Sequence, residues 1–145
     1  MKIHLATDHA GLALKETIEQ WLLDNGYSIV DHGAFQLDEG DDYNDFVDPA
    51  AKAVSENTED KGIIFGGSGQ GEAMAANRVA GVRAAVWYGG SSDIITLSRE
   101  HNDANVLSLG ARFLTAQEAT GAVETWLKTQ FSEEERHVRR INKLS

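Results

Sequence analysis

The feature that most restricts this chain is a junction. Gly62 to Phe65, short and fully apolar, runs straight into Gly66-Gly67-Ser68-Gly69-Gln70-Gly71, and a helical stretch from Glu72 to Asn77 follows. A strand with no polar face, a glycine turn and a helix, in that order, open the crossover unit from which parallel sheets are built. The rest of the chain repeats the alternation. Ile3, Leu5 and Ala6 make a strand that stops at Asp8-His9-Ala10-Gly11; Leu14, Ile18, Trp21 and Leu22 then share one face of a helix ending near Asn25-Gly26. Tyr27 to Val30 reads as a second strand, and Phe46, Ala50, Ala53 and Val54 as a second helix with Pro49 in its tolerant first turn. Ala84 to Trp87 and Asn105 to Leu109 complete the strands, with helices over Asp93 to His101 and Thr115 to Thr129. Five strands alternating with helices predict an α/β fold: a doubly wound, Rossmann-like sandwich on a five-stranded parallel sheet. The 145 residues suffice for one domain, 1–145, with residues 132–145 as an arm beyond the last crossover helix.

Composition narrows the partners. Asp and Glu number 23 against 13 Lys and Arg, a formal charge of -10, so the overall field disfavours nucleic acid and anionic membranes. With no cysteine, disulfides, thiolate metal sites and a cysteine nucleophile are all excluded. No apolar run reaches membrane-spanning length, and the expectation is a soluble, cytoplasmic protein.

Ligands of such sheets bind beyond the carboxyl ends of the strands. There the glycine loop lets successive backbone N–H groups converge on an anion. A plain tight turn is the rival reading, but four glycines in six residues exceed what a turn needs. The loop lacks the Lys-Ser/Thr ending of a P-loop, and the first strand-to-helix turn lacks the dinucleotide fingerprint, although Asp31 falls about 20 residues on, where a ribose-binding acid sits. A nucleotide site is therefore disfavoured.

Glu72, at the start of the helix, reads equally as a cap-region charge and as a base within reach of whatever the loop holds. The helix dipole lowers such a carboxyl, so a base here needs a shielded pocket, supplied for example by a second subunit. His9 and His101 are placed near strand carboxyl ends or the loops beside them, whereas His4 and His32 read as scaffold. The histidines show no metal-ligand spacing and the acidic loop Asp38 to Asp42 no calcium pattern; no metal or other cofactor is expected, and that loop reads as a solvated surface. Arg136, His137 and Arg140 make an i, i+1, i+4 set suited to phosphate, although pairing with Glu133, Glu134 and Glu135 is the simpler account. Arg112 is the better-placed cation for the mouth of the sheet.

Asp8-His9-Ala10-Gly11 with Lys15, Asp42-Tyr43, the 66–72 loop with Ala75-Ala76-Asn77, Ser98 to Asp103, Asn105 to Arg112, and Arg136-His137 with Arg140 occur in one order along nearly the whole chain. In these six blocks the chain resembles ribose-5-phosphate isomerase type B, of the group that includes galactose-6-phosphate isomerase subunits. The resemblance implies aldose-ketose isomerisation of ribose 5-phosphate and ribulose 5-phosphate through a cis-enediolate, without a metal, in a dimer or tetramer whose active sites are shared between subunits. It implies Glu72 as base, Ser68 as proton shuttle, His101 as ring opener and Asp8 beside the sugar hydroxyls. Gly67, Gly69 and Gly71 would hold the enediolate oxygen, Asn102 the hydroxyls, and His9, Arg112, Arg136, His137 and Arg140 the phosphate, with Tyr43 also near the substrate. Two departures stand out: many members carry cysteine where this chain has Gly66, and often proline where it has Asn44. The alternatives are a tetrulose 4-phosphate or six-carbon sugar phosphate as substrate, or a phosphosugar-binding module without catalysis.

Overall fold

The computed structural model describes residues 1–144, so Ser145, the end of the anticipated arm, lies outside the described residues. The elements are β1 (Lys2–Thr7), α1 (Leu12–Asp24), β2 (Ser28–Asp31), α2 (Asn44–Glu56), β3 (Lys61–Gly66), α3 (Gln70–Ala76), β4 (Ala84–Trp87), α4 (Asp93–Glu100), β5 (Val106–Gly110), α5 (Ala116–Lys128) and α6 (Glu135–Asn142). All strands pair in parallel in the order β2-β1-β3-β5-β4. The apolar runs β1, β3 and β5 take the centre, and the short strands β2 and β4 form the edges.

Alternating side chains on the central strands feed two separate cores. Ile3, Leu5, Ile63, Phe65, Leu107 and Leu109 pack under α1, α4 and α5 against Ile18, Ile95 and Trp126. Ala6, Ile64 and Val106 meet Val47, Ala50, Val54 and Ala76 from α2 and α3 on the opposite face. The sheet is thus doubly wound, as the alternation of elements predicts. Trp126 is fully buried, so truncation to alanine costs about 3–5 kcal/mol. At the entry to α5 a capping box fixes the boundary: the Glu118 N–H donates to Thr115 Oγ1 at 3.1 Å while the Thr115 N–H donates to Glu118 Oε1 at 3.0 Å.

Pro49 differs from the expectation. Turn bonds from Asp45 N–H to Asp42 O (3.1 Å) and Phe46 N–H to Tyr43 O (3.1 Å) start α2 at Asn44, which puts Pro49 inside the helix rather than in its first turn. The missing N–H at Pro49 withholds the intrahelical bond that the Asp45 carbonyl would otherwise accept.

Candidate active site

Three adjacent central strands deliver the carboxyl-edge residues. At the end of β1, Thr7 Oγ1 donates to the Asp8 carbonyl (2.9 Å) and to the Phe65 carbonyl (3.1 Å), locking the exit of β1 to that of β3. The Asp8 carboxylate is buried and accepts from the Ala10 N–H at 3.0 Å, capping the 3-10 turn His9–Gly11. Beyond β3 the glycine loop enters α3 through Gly69, whose φ of +79° is left-handed and suits glycine. From β5, Ser108 Oγ donates to the Gly69 carbonyl at 2.7 Å and the Arg112 N–H to the Gly67 carbonyl at 3.1 Å. The loop is therefore held from beneath by the neighbouring strand.

Side chains close over that loop. A Cβ added at Gly67 would lie 3.0 Å from the Arg112 guanidinium, and one at Gly71 would lie 2.6 Å from the Tyr43 hydroxyl. Arg112 and Tyr43 thus cover its two ends. Ser68 is exposed, and its Oγ accepts from the Gln70 N–H at 3.3 Å, leaving the hydroxyl proton available to a ligand.

Glu72 answers the question left open by its position. A Cβ built on Gly66 would fall on the Glu72 carboxyl group, so this carboxylate occupies the space in which position 66 would otherwise carry a side chain. It is 5% exposed, and its pKa is raised: burial is the largest cause, opposed by its own backbone N–H and supported by the negative charge of Asp8. The shielding anticipated from a second subunit is already provided within one chain. A carboxyl lifted in this way, at the entry of α3 beside the glycine loop, is moved toward the range in which a general base works.

The acidic loop departs from the solvated surface expected of it. Asp41 turns inward, with its side chain 8% exposed and Oδ1 2.7 Å from His9 Nδ1. This contact is the largest cause of a raised His9 pKa; burial opposes it, Asp8 adds to it and Arg112 detracts. Asp8, His9 and Asp41 bring potential ligand atoms within 4.8 Å of one another, but the His9–Asp41 hydrogen bond and the Asp8 cap on the Ala10 N–H already engage all three. Nothing in a run of four acidic residues and a glycine distinguishes Asp41 from its neighbours in one dimension.

The second group of expected site residues lies elsewhere. A crossover helix between parallel strands runs antiparallel to them, so α4 ends at the amino edge of the sheet, not near the strand carboxyl ends where His101 was expected. There Arg83 Nε donates to the carbonyls of Asn102 (3.0 Å) and Asp103 (3.1 Å), and Arg99 Nη1 donates to Asp103 Oδ1 (2.8 Å) and the Ala104 carbonyl (2.7 Å). The two arginines hold Asp103 at a φ of +44° and fix the turn that carries His101 and Asn102. His137 of α6 stacks on His101 with ring centroids 4.2 Å apart and planes 14° from parallel. Its pKa is lowered, by burial first and then by His101. Of the expected set, Arg136 pairs with Glu134 at 3.1 Å, as the simpler account supposed, but Arg140 has no salt-bridge partner among the described residues, and Glu135 pairs instead with Arg139 at 2.9 Å. Five residues of β5 separate the two edges, about 16 Å at a strand's rise. One chain therefore brings Asp8, His9, Tyr43, the glycine loop, Glu72 and Arg112 together and leaves His101, Asn102, Arg136, His137 and Arg140 in a second cluster.

The expected scaffold histidines form a third set. His4 Nδ1 lies 2.9 Å from His32 Nε2 and His4 Nε2 lies 2.9 Å from Asp60 Oδ2, a chain of contacts beneath α2. Lys15, read only as part of a motif, is 1% exposed and donates to Asp31 at 2.6 and 2.5 Å, so Asp31 is an ion-pair partner.

The fold and site define a class: a doubly wound α/β protein with a glycine loop at the carboxyl edge of its sheet and a buried carboxyl group beside it. The chain belongs to the Ribose/Galactose Isomerase family, whose model matches residues 3–144. It is 40% identical over 145 residues to ribose-5-phosphate isomerase B of Mycolicibacterium paratuberculosis, covering 100% of this chain and 90% of that protein. Among solved structures it resembles ribose-5-phosphate isomerase B of Mycoplasma genitalium with bound ribulose-5-phosphate, with a TM-score of 0.93 and 42% identity over 99% of this chain and 93% of the other. The Clostridium thermocellum ribose-5-phosphate isomerase B gives a TM-score of 0.92 and 42% identity, covering 99% and 95%. Among the described residues no helix is long and apolar enough to cross a membrane.

Proposed function

We propose that this chain interconverts D-ribose 5-phosphate and D-ribulose 5-phosphate, with Glu72 moving the proton between C2 and C1. The observation that carries the reading is the Glu72 carboxyl, buried in the space beside Gly66 and raised above the ordinary carboxylate pKa by that burial. The family and the ribulose-5-phosphate in the Mycoplasma genitalium structure support the choice of sugar.

The steps follow from the residues. Ribose 5-phosphate enters as a furanose, and His101 assists ring opening, in which the anomeric hydroxyl gives up its proton to become the C1 carbonyl while the C1–O4 bond breaks and O4 gains a proton. Glu72 takes the C2 proton, the electron pair moves onto O1, and the enediolate forms in the cis geometry that lets one base serve both carbons. Amides of the 67–71 loop stabilise the oxyanion, a contribution of about 3 kcal/mol per well-aimed donor. Ser68 passes a proton between O1 and O2, and Glu72 returns its proton to C1. The phosphate is held by His9 and Arg112 together with Arg136, His137 and Arg140.

The two clusters meet in an assembly of at least two copies, the amino edge of one chain completing the carboxyl edge of the other. Their separation within one chain and the uncompensated Arg140 support this arrangement. We place the protein in the cytoplasm, because the charge of a phosphorylated sugar keeps it from crossing a membrane unaided.

The test is proton NMR of ribose 5-phosphate in heavy water with wild type and Glu72→Gln. Ribulose 5-phosphate with solvent deuterium incorporated is expected from wild type alone. Undiminished turnover by Glu72→Gln would remove Glu72 as the base. Conversion of a four- or six-carbon sugar phosphate in preference to ribose 5-phosphate would change the substrate but leave the chemistry.

A further inference from the structure

The acidic loop from Asp38 to Asp42 spends one of its carboxylates against its own electrostatic interest. Residues 35–40 are exposed, yet Asp41 is folded inward with Oδ2 buried and without a hydrogen-bond partner. A buried carboxylate with an unpaired oxygen is costly, and a surface loop can relieve that cost by turning the side chain to water. The interaction opposing this is a two-pronged contact with one residue: Asp41 Oδ1 accepts from the His9 backbone N–H at 3.2 Å and lies 2.7 Å from His9 Nδ1. His9 Nε2 has no partner among the described residues, and the ring is partly exposed.

We propose that Asp41 is a positioning residue, its carboxylate fixing the His9 ring so that Nε2–H is the edge offered to the phosphate of the bound sugar. This rests on the assignment of a phosphorylated sugar to the site. With Nδ1–H committed to Asp41, the ring can offer a second donor only when protonated, and a neutral ring would present a lone pair to the phosphate oxygens. The groups facing His9 set that balance: Asp41 from the acidic loop and Asp8, 4.0 Å from Nδ1 at the end of β1, favour the cation, and Arg112 from the turn after β5 opposes it. Without Asp41, burial and Arg112 both oppose the cation against Asp8 alone, and the ring titrates lower than in wild type. Asp41 thereby extends phosphate binding to higher pH without touching the substrate.

The test is Asp41→Asn, which keeps the shape of the side chain and removes its charge. Three readouts separate positioning from mere folding. Proton NMR of the His9 ring, assigned by its loss in His9→Gln, should show a midpoint above the ordinary 6.5 in wild type and lower in the variant. Inorganic phosphate, titrated calorimetrically at a pH between the two ring midpoints, should bind the variant about tenfold more weakly, as expected when a charge-assisted bond is lost. In turnover assays the KM for ribose 5-phosphate should rise by a similar factor at a pH between the two ring midpoints, with kcat within about twofold of wild type, and the gap should close at pH below the variant's midpoint, where both rings are charged.

In a His9→Gln background, Asp41→Asn should add nothing. Equal KM and equal phosphate affinity at every pH, or the same loss in the His9→Gln background, overturns the proposal. If wild type turns over no sugar phosphate, the isomerase reading fails, while the ring titration and the phosphate calorimetry still decide the role of Asp41.

Discussion

The two edges of this sheet are built by opposite means. At the carboxyl edge the backbone dominates: a glycine loop, anchored by Ser108 Oγ and the Arg112 N–H, leaves one buried carboxylate in the space a side chain would have filled. At the amino edge side chains dominate: Arg83 and Arg99 clamp a turn, and the His101 ring rests on His137 from an otherwise charged helix. The first edge is set by the strands themselves and leaves little freedom. The second depends on long side chains and on α6, whose residues other than His137 and Ile141 are exposed. Under the proposed function the carboxyl edge suits proton transfer at carbon, which demands near-contact geometry, and the amino edge suits ring opening and a share of the phosphate grip, which tolerate adjustment.

The sharpest way to break this division is Glu72→Gln. Turnover should fall by about 10³-fold while ribose 5-phosphate still binds, because general-base catalysis is lost and the amide keeps the shape. Next is Gly66→Ala, whose methyl group meets the Glu72 carboxyl. Displacing the base by about 1 Å should cost on the order of 10²-fold in kcat, with far-ultraviolet circular dichroism unchanged. A mixing experiment then joins the edges: Glu72→Gln and His101→Asn, each inactive alone, should recover about a quarter of wild-type activity after subunit exchange, since half the dimers are mixed and each holds one intact site. Failure to recover would place both clusters at work within one chain.

Two smaller effects concern pH. As the proposed base, Glu72 works in its ionised form, so kcat/KM should fall as pH drops through its raised pKa, and Asp8→Asn should move that acid limb to lower pH by removing a repelling charge. In the scaffold, burial raises the Asp60 carboxyl, but the His4 contact and the Lys2 N–H outweigh it and hold its pKa below the ordinary 3.8. The associated stability is therefore present above about 3.8 and lost as pH falls through the lower folded value. Asp60→Asn should flatten acid unfolding there, read by thermal melts across pH, with kcat unchanged.

The fold was largely legible in the sequence because its central strands are uninterrupted apolar runs, and periodicity needs nothing more. Pro49 was misplaced by one turn because the start of α2 is set by turn bonds from Asp42 and Tyr43, which no periodicity records. The edge on which His101 falls was available in principle, since a crossover helix must return to the amino ends of its strands; the residue's polar neighbours drew attention first. Asp41 and the raised Glu72 were not available. Each depends on a contact distant in sequence, with His9 in one case and with the space over Gly66 in the other.

That shared space also restricts how such a chain can change over time. A cysteine at position 66, as many relatives of this kind carry, and a glutamate at position 72 compete for one volume. Acquiring the thiol first crowds the proposed base, and discarding the carboxylate first leaves that role unfilled. Each single step from one arrangement to the other thus passes through a poor enzyme, a fitness valley whose depth is set by the empty side of one glycine. Lineages that settled on either solution would tend to stay there, unless both codons changed together or a second gene copy carried the burden meanwhile.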